Sequence, residues 1–167
     1  MKIYKLPTPK PDFNLEQWKQ KTICNTDIFV FNDGGRKKAG FKGFTGDCAV
    51  RSLAICLDLP YKEVYDTVNE FCKLEKPSKR RRGISNARTG IHTYTFKKIA
   101  IHYGLKWVPK MTIGSGCTTH VKEDELPKGR IILNLSRHFA AMIDGKLQDI
   151  YDCSRNGTRC VYGYWHL

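Results

Sequence analysis

Gly46-Asp47-Cys48-Ala49-Val50-Arg51-Ser52-Leu53-Ala54-Ile55-Cys56-Leu57 divides this chain into two kinds of sequence. Apolar residues at helical spacing predict a helix over residues 48–57, with Asp47 as its natural N-cap. Two further helices follow. Pro60 to about Leu74 (PYKEVYDTVNEFCKL) turns Val64, Val68 and Phe71 inward, and Ile91 to Tyr103 is closed by Gly104 at the C′ position. From Leu105 onward the period changes to two, and strands are expected over 105–108, 130–135, 139–143, 146–151 and 162–166. Asp144-Gly145, between two alternating runs, reads as a hairpin turn. Helices first and an antiparallel sheet afterwards is an α+β layout, with N-terminal helices packed on a C-terminal sheet.

Working back from Gly46, five glycines between Gly34 and Asp47 require tight turns or a close approach of the backbone to something else. Residues 28–31 form a brief strand candidate and residues 15–21 a short helix. Pro7, Pro9 and Pro11 make residues 1–14 an extended arm. Residues 76–90 read as a charged, breaker-rich loop. Neither a repeat nor a domain boundary interrupts the chain, so residues 1–167 are read as one domain.

The 167 residues suit one domain, and 41% hydrophobic content is globular composition. A net charge of +13 attracts polyanions, which makes nucleic acid or an acidic protein an expected partner. Lys79, Arg80, Arg81 and Arg82 are the basic run that would carry such binding. Arg36, Lys37, Lys38 and Lys42 add positive charge around the glycine-rich loop. The polar, proline-broken N-terminus gives no export signal and no spanning segment, so no membrane partner is expected. With seven cysteines and no such signal, the expectation is a reduced, cytoplasmic protein with at least one thiol left for chemistry.

Cys48 is the candidate for that chemistry. Unpaired N–H groups and the dipole of a helix N-terminus stabilise a thiolate, and the Cys48 N–H could help hold an oxyanion. His138 supplies a base. If Asp144-Gly145 is a two-residue turn, Ile143 faces Lys146 and His138 faces Tyr151. Asp149 is then the diagonal neighbour of His138 on the same face, placed to orient and charge-stabilise the imidazole, while Asp152 lies on the other face.

Gly46-Asp47-Cys48-Ala49-Val50-Arg51-Ser52-Leu53 resembles the catalytic segment of ovarian-tumour-type deubiquitinases. The hairpin from His138 to Asp149 resembles the histidine and aspartate strands of papain-like and bacteriocin-processing peptidases. Together with Asn32-Asp33-Gly34-Gly35-Arg36 and residues 159–165, the sequence is similar to a papain-fold family found among phage-encoded and bacterial proteins. The resemblance implies a papain-like fold and a Cys48–His138–Asp149 triad, acting in the host cytoplasm if the chain is phage-encoded. Two positions depart from the patterns: Thr45 replaces an aspartate, and Lys42 stands where papain relatives place the oxyanion glutamine. Backbone N–H groups, Thr45 or Asn32 remain as the supporting donors, with Asp47 beside them.

The expected function is a cysteine hydrolase (peptidase, isopeptidase or amidase) acting on a protein or peptide. The competing expectation is a non-catalytic basic binding protein on the same scaffold, engaging nucleic acid or a host protein complex. No cofactor and no metal site are assigned. Cys117 with His120 and Cys153 with Cys160 have poor zinc-ligand spacing, and core thiols or a late disulfide are the preferred reading. Trp107, Tyr164 and Trp165 read as sheet packing, and His92 and His102 receive no role.

Overall fold

The computed structural model describes residues 27–43, 45–76, 83–112 and 114–167. The proline-rich arm, the helix expected over residues 15–21 and the basic run from Lys79 to Arg82 lie outside the described residues. The described elements, in chain order, are β1 (Phe29–Phe31), α1 (Cys48–Leu57), α2 (Tyr61–Lys73), α3 (Thr93–His102), β2 (Lys106–Pro109), β3 (Arg130–Leu135), β4 (His138–Ile143), β5 (Lys146–Asp149) and β6 (Val161–His166). Three helices and a six-stranded, mostly antiparallel sheet make the fold α+β. The strand order is β1-β5-β4-β3-β6-β2.

Helix α1 has the bounds its apolar spacing predicts. Ala49, Val50, Leu53, Ala54 and Cys56 are all buried, because this helix lies directly on the sheet. Pro60 precedes α2 as its N-cap residue, where its missing N–H costs nothing. Gly104 follows α3 with φ of 77°, the left-handed conformation that glycine adopts without strain. Phe96 of α3 stacks on Phe139 of β4 with ring centroids 3.9 Å apart, a contact worth about 0.5–1.5 kcal/mol beyond its buried area. That stack clamps the start of β4 against the helical layer.

The strands β3 and β4 alternate between two cores. Ile132 and Phe139 face the helices, whereas Ile131, Leu133, Leu135, Ala140 and Met142 face a second cluster containing Val121, Leu126 and Cys153. The second face is therefore covered too, by the long connections on either side of residues 130–149 rather than by helices. The hairpin count holds: Ile143 pairs with Lys146 and Met142 with Leu147. Asp144 and Gly145 both have positive φ, as a two-residue turn of this register requires.

Two features depart from the expected antiparallel, reduced arrangement. Strand β1 pairs with β5 in parallel, Phe29 opposite Leu147. Cys117 and Cys160 form a disulfide that ties the β2–β3 connection to the entry of β6. Of the four residues with poor zinc-ligand spacing, Cys117 and Cys160 are thus joined in a disulfide and Cys153 is a buried free thiol. His120 Nδ1 meets Glu125 Oε2 at 3.0 Å. No helix among the described residues is long and apolar enough to cross a membrane.

Candidate active site

Cys48 is the first residue of α1, and His138 the first residue of β4. The packing of α1 on β4 brings these two ends together at one cleft of about 750 Å³. The His138 imidazole, the backbone N–H of Phe139 and the Arg51 guanidinium are the groups that act on the Cys48 thiol. His138 Nε2 lies 2.5 Å from Asp149 Oδ2. Asp149 is the last residue of β5, which the register of the Asp144-Gly145 hairpin carries alongside β4. The Tyr151 ring flanks the imidazole with centroids 5.5 Å apart. Cys48 and His138 thus share the cleft, and Asp149 holds the imidazole from behind.

The electrostatics of these three residues favour charge separation. Burial raises the Cys48 thiol, but the His138 hydrogen bond and charge, the Phe139 N–H and the Arg51 guanidinium outweigh it, so its pKa falls below the usual 9.0. Burial lowers His138, yet its bonds to Asp149, Cys153 and Cys48 push it up from 6.5 to about 12. Both shifts favour thiolate and imidazolium over the neutral pair.

Behind the pair lies a buried ion network that explains Asp47. This residue sits at the N-cap position, but its carboxylate makes no cap hydrogen bond. It turns inward instead, accepting from Arg51 one turn along α1, from Arg36 Nε at 2.9 Å and from Tyr61 Oη at 2.6 Å. Arg51 Nη2 then reaches Asp149 Oδ1 at 3.3 Å. Two carboxylates are matched by two guanidiniums, so a charge-neutral frame surrounds the thiol–imidazole pair. Such burial is tolerated only because partners are in place. The Arg36 guanidinium also donates to the carbonyls of Lys42 and Gly43, fixing the glycine-rich loop onto the same frame.

Gly46 is needed for packing against the chain. A Cβ there would come within 2.7 Å of the Thr89 carbonyl oxygen, and Gly46 N–H donates to Arg88 O. The neighbour that glycine admits is thus residues 88–90, not a substrate. Thr45 is half-buried and lines the cleft. Asn32 does not, which corrects its reading as an oxyanion donor. Its Nδ2 donates to Gln148 Oε1 at 3.1 Å and its Oδ1 accepts from Gly34 N, so both ends of the amide are engaged where the chain leaves β1. The first-turn amides of α1 have no intrahelical carbonyl to bond, since Arg51 N is the first to reach back, to Asp47 O. Asn134 of β3 also lines the cleft and was not foreseen.

The larger omission is the far wall of the cleft, residues 84–93, which the sequence presented as the end of a loop and, from Ile91, the start of a helix that in fact begins at Thr93. Asn86 and Gly90 close a tight turn through Asn86 N to Gly90 O. Helix α2 holds that turn: Asn69 Oδ1 accepts from Ala87 N, and the residue after α2's C-cap, Glu75, accepts from Ser85 N and Thr95 Oγ1. Ser85 Oγ in turn accepts from His92 N, which brings His92 to the cleft. The charged, turn-forming composition gave no sign of these long-range anchors.

One further thiol touches the site. Cys153, 1% exposed, lies beside His138, and ligating atoms of His138, Asp149 and Cys153 lie within 4.8 Å of one another. These three side chains are the set that could hold a metal ion among the described residues. Burial raises the Cys153 thiol, so it stays protonated where Cys48 ionises.

No protein-family model matches this chain, and neither a curated protein nor a solved structure does.

Proposed function

We propose that the protein is a cysteine hydrolase on a papain-like scaffold, cleaving an amide, peptide or isopeptide carbonyl. The observation that carries this reading is the set of Cys48, His138 and Asp149 at the mouth of an open cleft, with its thiol lowered and its imidazole raised. Cys48 Sγ attacks the substrate carbonyl carbon, and the electron pair moves onto the carbonyl oxygen. The N–H groups at the start of α1 hold that oxyanion, with Thr45 and Asn134 beside them. His138 then gives its proton to the leaving amine, and an acyl-thioester remains on Cys48. Water, deprotonated by His138, attacks the thioester carbon, the C–S bond breaks, the acid departs, and Cys48 thiolate is regenerated beside the protonated His138. Asp149 keeps the ring oriented throughout, and Arg51 holds Asp149.

An activated acyl ester such as p-nitrophenyl acetate tests the reading. Wild type is expected to release a burst of p-nitrophenol close to one equivalent, with the acetyl group found by mass spectrometry on the peptide containing Cys48. Cys48→Ala should lose the burst and His138→Ala should slow it. A burst of the same size in Cys48→Ala would overturn the assignment. The competing reading, a non-catalytic binder drawing on the net charge of +13, expects no burst in any of the three.

A further inference from the structure

The cleft beside Cys48 has an unusual charge balance. Among the described residues lining it there is no Asp or Glu, while Arg51, Arg137, His92 and His138 all contribute. Arg51 and His138 are engaged with Asp149 behind the thiol. Arg137 is different: it is exposed, at the tip of the β3–β4 hairpin, and has no ion pair with any described residue. Its backbone is also in a conformation that a long side chain adopts at a cost. Leu135 pairs with His138, so Ser136-Arg137 is a two-residue turn, and Arg137 has φ of 55°. Glycine or asparagine is the unstrained choice there. The turn is held by buried Arg159, whose Nη2 donates to Ser136 O at 2.9 Å and whose Nη1 donates to Cys153 O. An arginine is therefore fixed at the edge of the cleft, one residue from the base.

Beside the neutral polar groups of Thr45, Ser85, Thr89, Thr93 and Asn134, the lining carries open apolar side chains. Ile84, 58% exposed, and Ile150, 36% exposed, stand in the cleft with half-buried Ile91. Branched apolar side chains left open beside a nucleophile suit an apolar side chain on the substrate. Exposed Lys42 and Arg88 add positive charge next to the lining residues Gly46 and Thr89: Arg88 O accepts from Gly46 N, and its Nη2 donates to Lys42 O.

Resting on the hydrolase reading, we propose that Arg137 is a specificity-determining residue that selects an acidic polypeptide segment. A carboxylate of that segment pairs with Arg137 while a neighbouring apolar side chain sits among Ile84, Ile91 and Ile150. A guanidinium takes a carboxylate through paired N–H donors, and the surrounding positive potential speeds the encounter.

Peptidyl electrophiles of identical warhead test this. Each carries isoleucine beside the warhead and either Asp, Asn or Lys at the next positions. Rates of Cys48 labelling are expected in the order Asp, Asn, Lys, with Asp ahead of Asn by about fivefold at low salt, the reach of an exposed ion pair. The ratio should shrink as salt rises. In Arg137→Gly the Asp-to-Asn ratio should fall toward one, and the variant should melt no lower than wild type, since glycine relieves the turn. Equal Asp and Asn rates on wild type would overturn the inference, as would an undiminished ratio in Arg137→Gly. So would better protection of Cys48 by an oligonucleotide than by an acidic peptide. Uncharged iodoacetamide on wild type separates the two levels. If it singles out Cys48 while the charge order is absent, only the selection fails. If it does not single out Cys48, the hydrolase reading fails and this one with it.

Discussion

The two ends of helix α1 each carry a cysteine, and the two thiols behave in opposite ways. Cys56, near the C-terminal end, is fully buried against the core, and burial pushes its pKa up to about 11. Cys48, at the N-terminal end, is also desolvated, yet its pKa moves down. The difference lies in what each end is given. At the N-terminus the thiol meets an imidazole, a backbone N–H and a guanidinium. At the C-terminus the cation is spent on the backbone: Arg130 Nε donates to Cys56 O at 2.7 Å and its Nη2 to Ile55 O. Both arrangements follow the helix dipole, negative charge at the start and positive charge at the end. A cysteine in an apolar helix is inert by default, and only its position and partners make it otherwise.

The largest way to break this contrast is to remove the imidazole. His138→Ala is expected to slow alkylation of Cys48 at neutral pH by about tenfold or more, because the thiolate fraction falls about tenfold for each unit the thiol's pKa rises. Cys56 should stay as slow as before, and site-resolved mass spectrometry would read both rates. Next comes the ion frame. Arg51→Met leaves Asp47 and Asp149 buried without their shared cation, and denaturant unfolding should show a loss of about 3–5 kcal/mol. Tyr61→Phe removes one donor to Asp47 while Arg36 and Arg51 remain, so about 1.5–3 kcal/mol should be lost in the same assay. At the other end, Arg130→Ala should cost about 1 kcal/mol and leave Cys48 reactivity untouched, because it acts on two part-buried helix-end carbonyls and the dipole, far along α1 from the thiol. Equal losses for Arg51→Met and Arg130→Ala would remove the distinction between the two ends.

Much of this arrangement was legible from local pattern. The helix over 48–57, the strand over 130–135 and the Asp144-Gly145 register all depend on periodicity or turn chemistry, which neighbouring residues fix. Counting outward from that turn led to Asp149 beside His138. What periodicity does not carry was missed. Three residues of β1 cannot announce a parallel partner more than a hundred positions away, and its exposed Val30 and Phe31 give no inward face to read. Asp47 has the residue type of an N-cap, and only the arrival of Arg36 and Tyr61 turns it inward. The wall from Ile84 to Thr93 is held by Asn69 and Glu75, side chains that look solvated in the sequence of an amphipathic helix. Gly46 did signal a close approach, but glycine does not say to what.

The most direct measurement is the pH dependence of iodoacetamide alkylation, followed separately at Cys48 and Cys56 in wild type and His138→Ala. A thiol with a lowered pKa reaches its thiolate as pH rises through a value below 9.0, whereas Cys56 should follow only near 11. The wild-type Cys48 midpoint should therefore lie below 9.0. In His138→Ala it should move up, because burial is then opposed by Arg51 and the Phe139 N–H alone. A wild-type Cys48 midpoint at or above 9.0, or one that stays put when His138 is removed, would contradict the account.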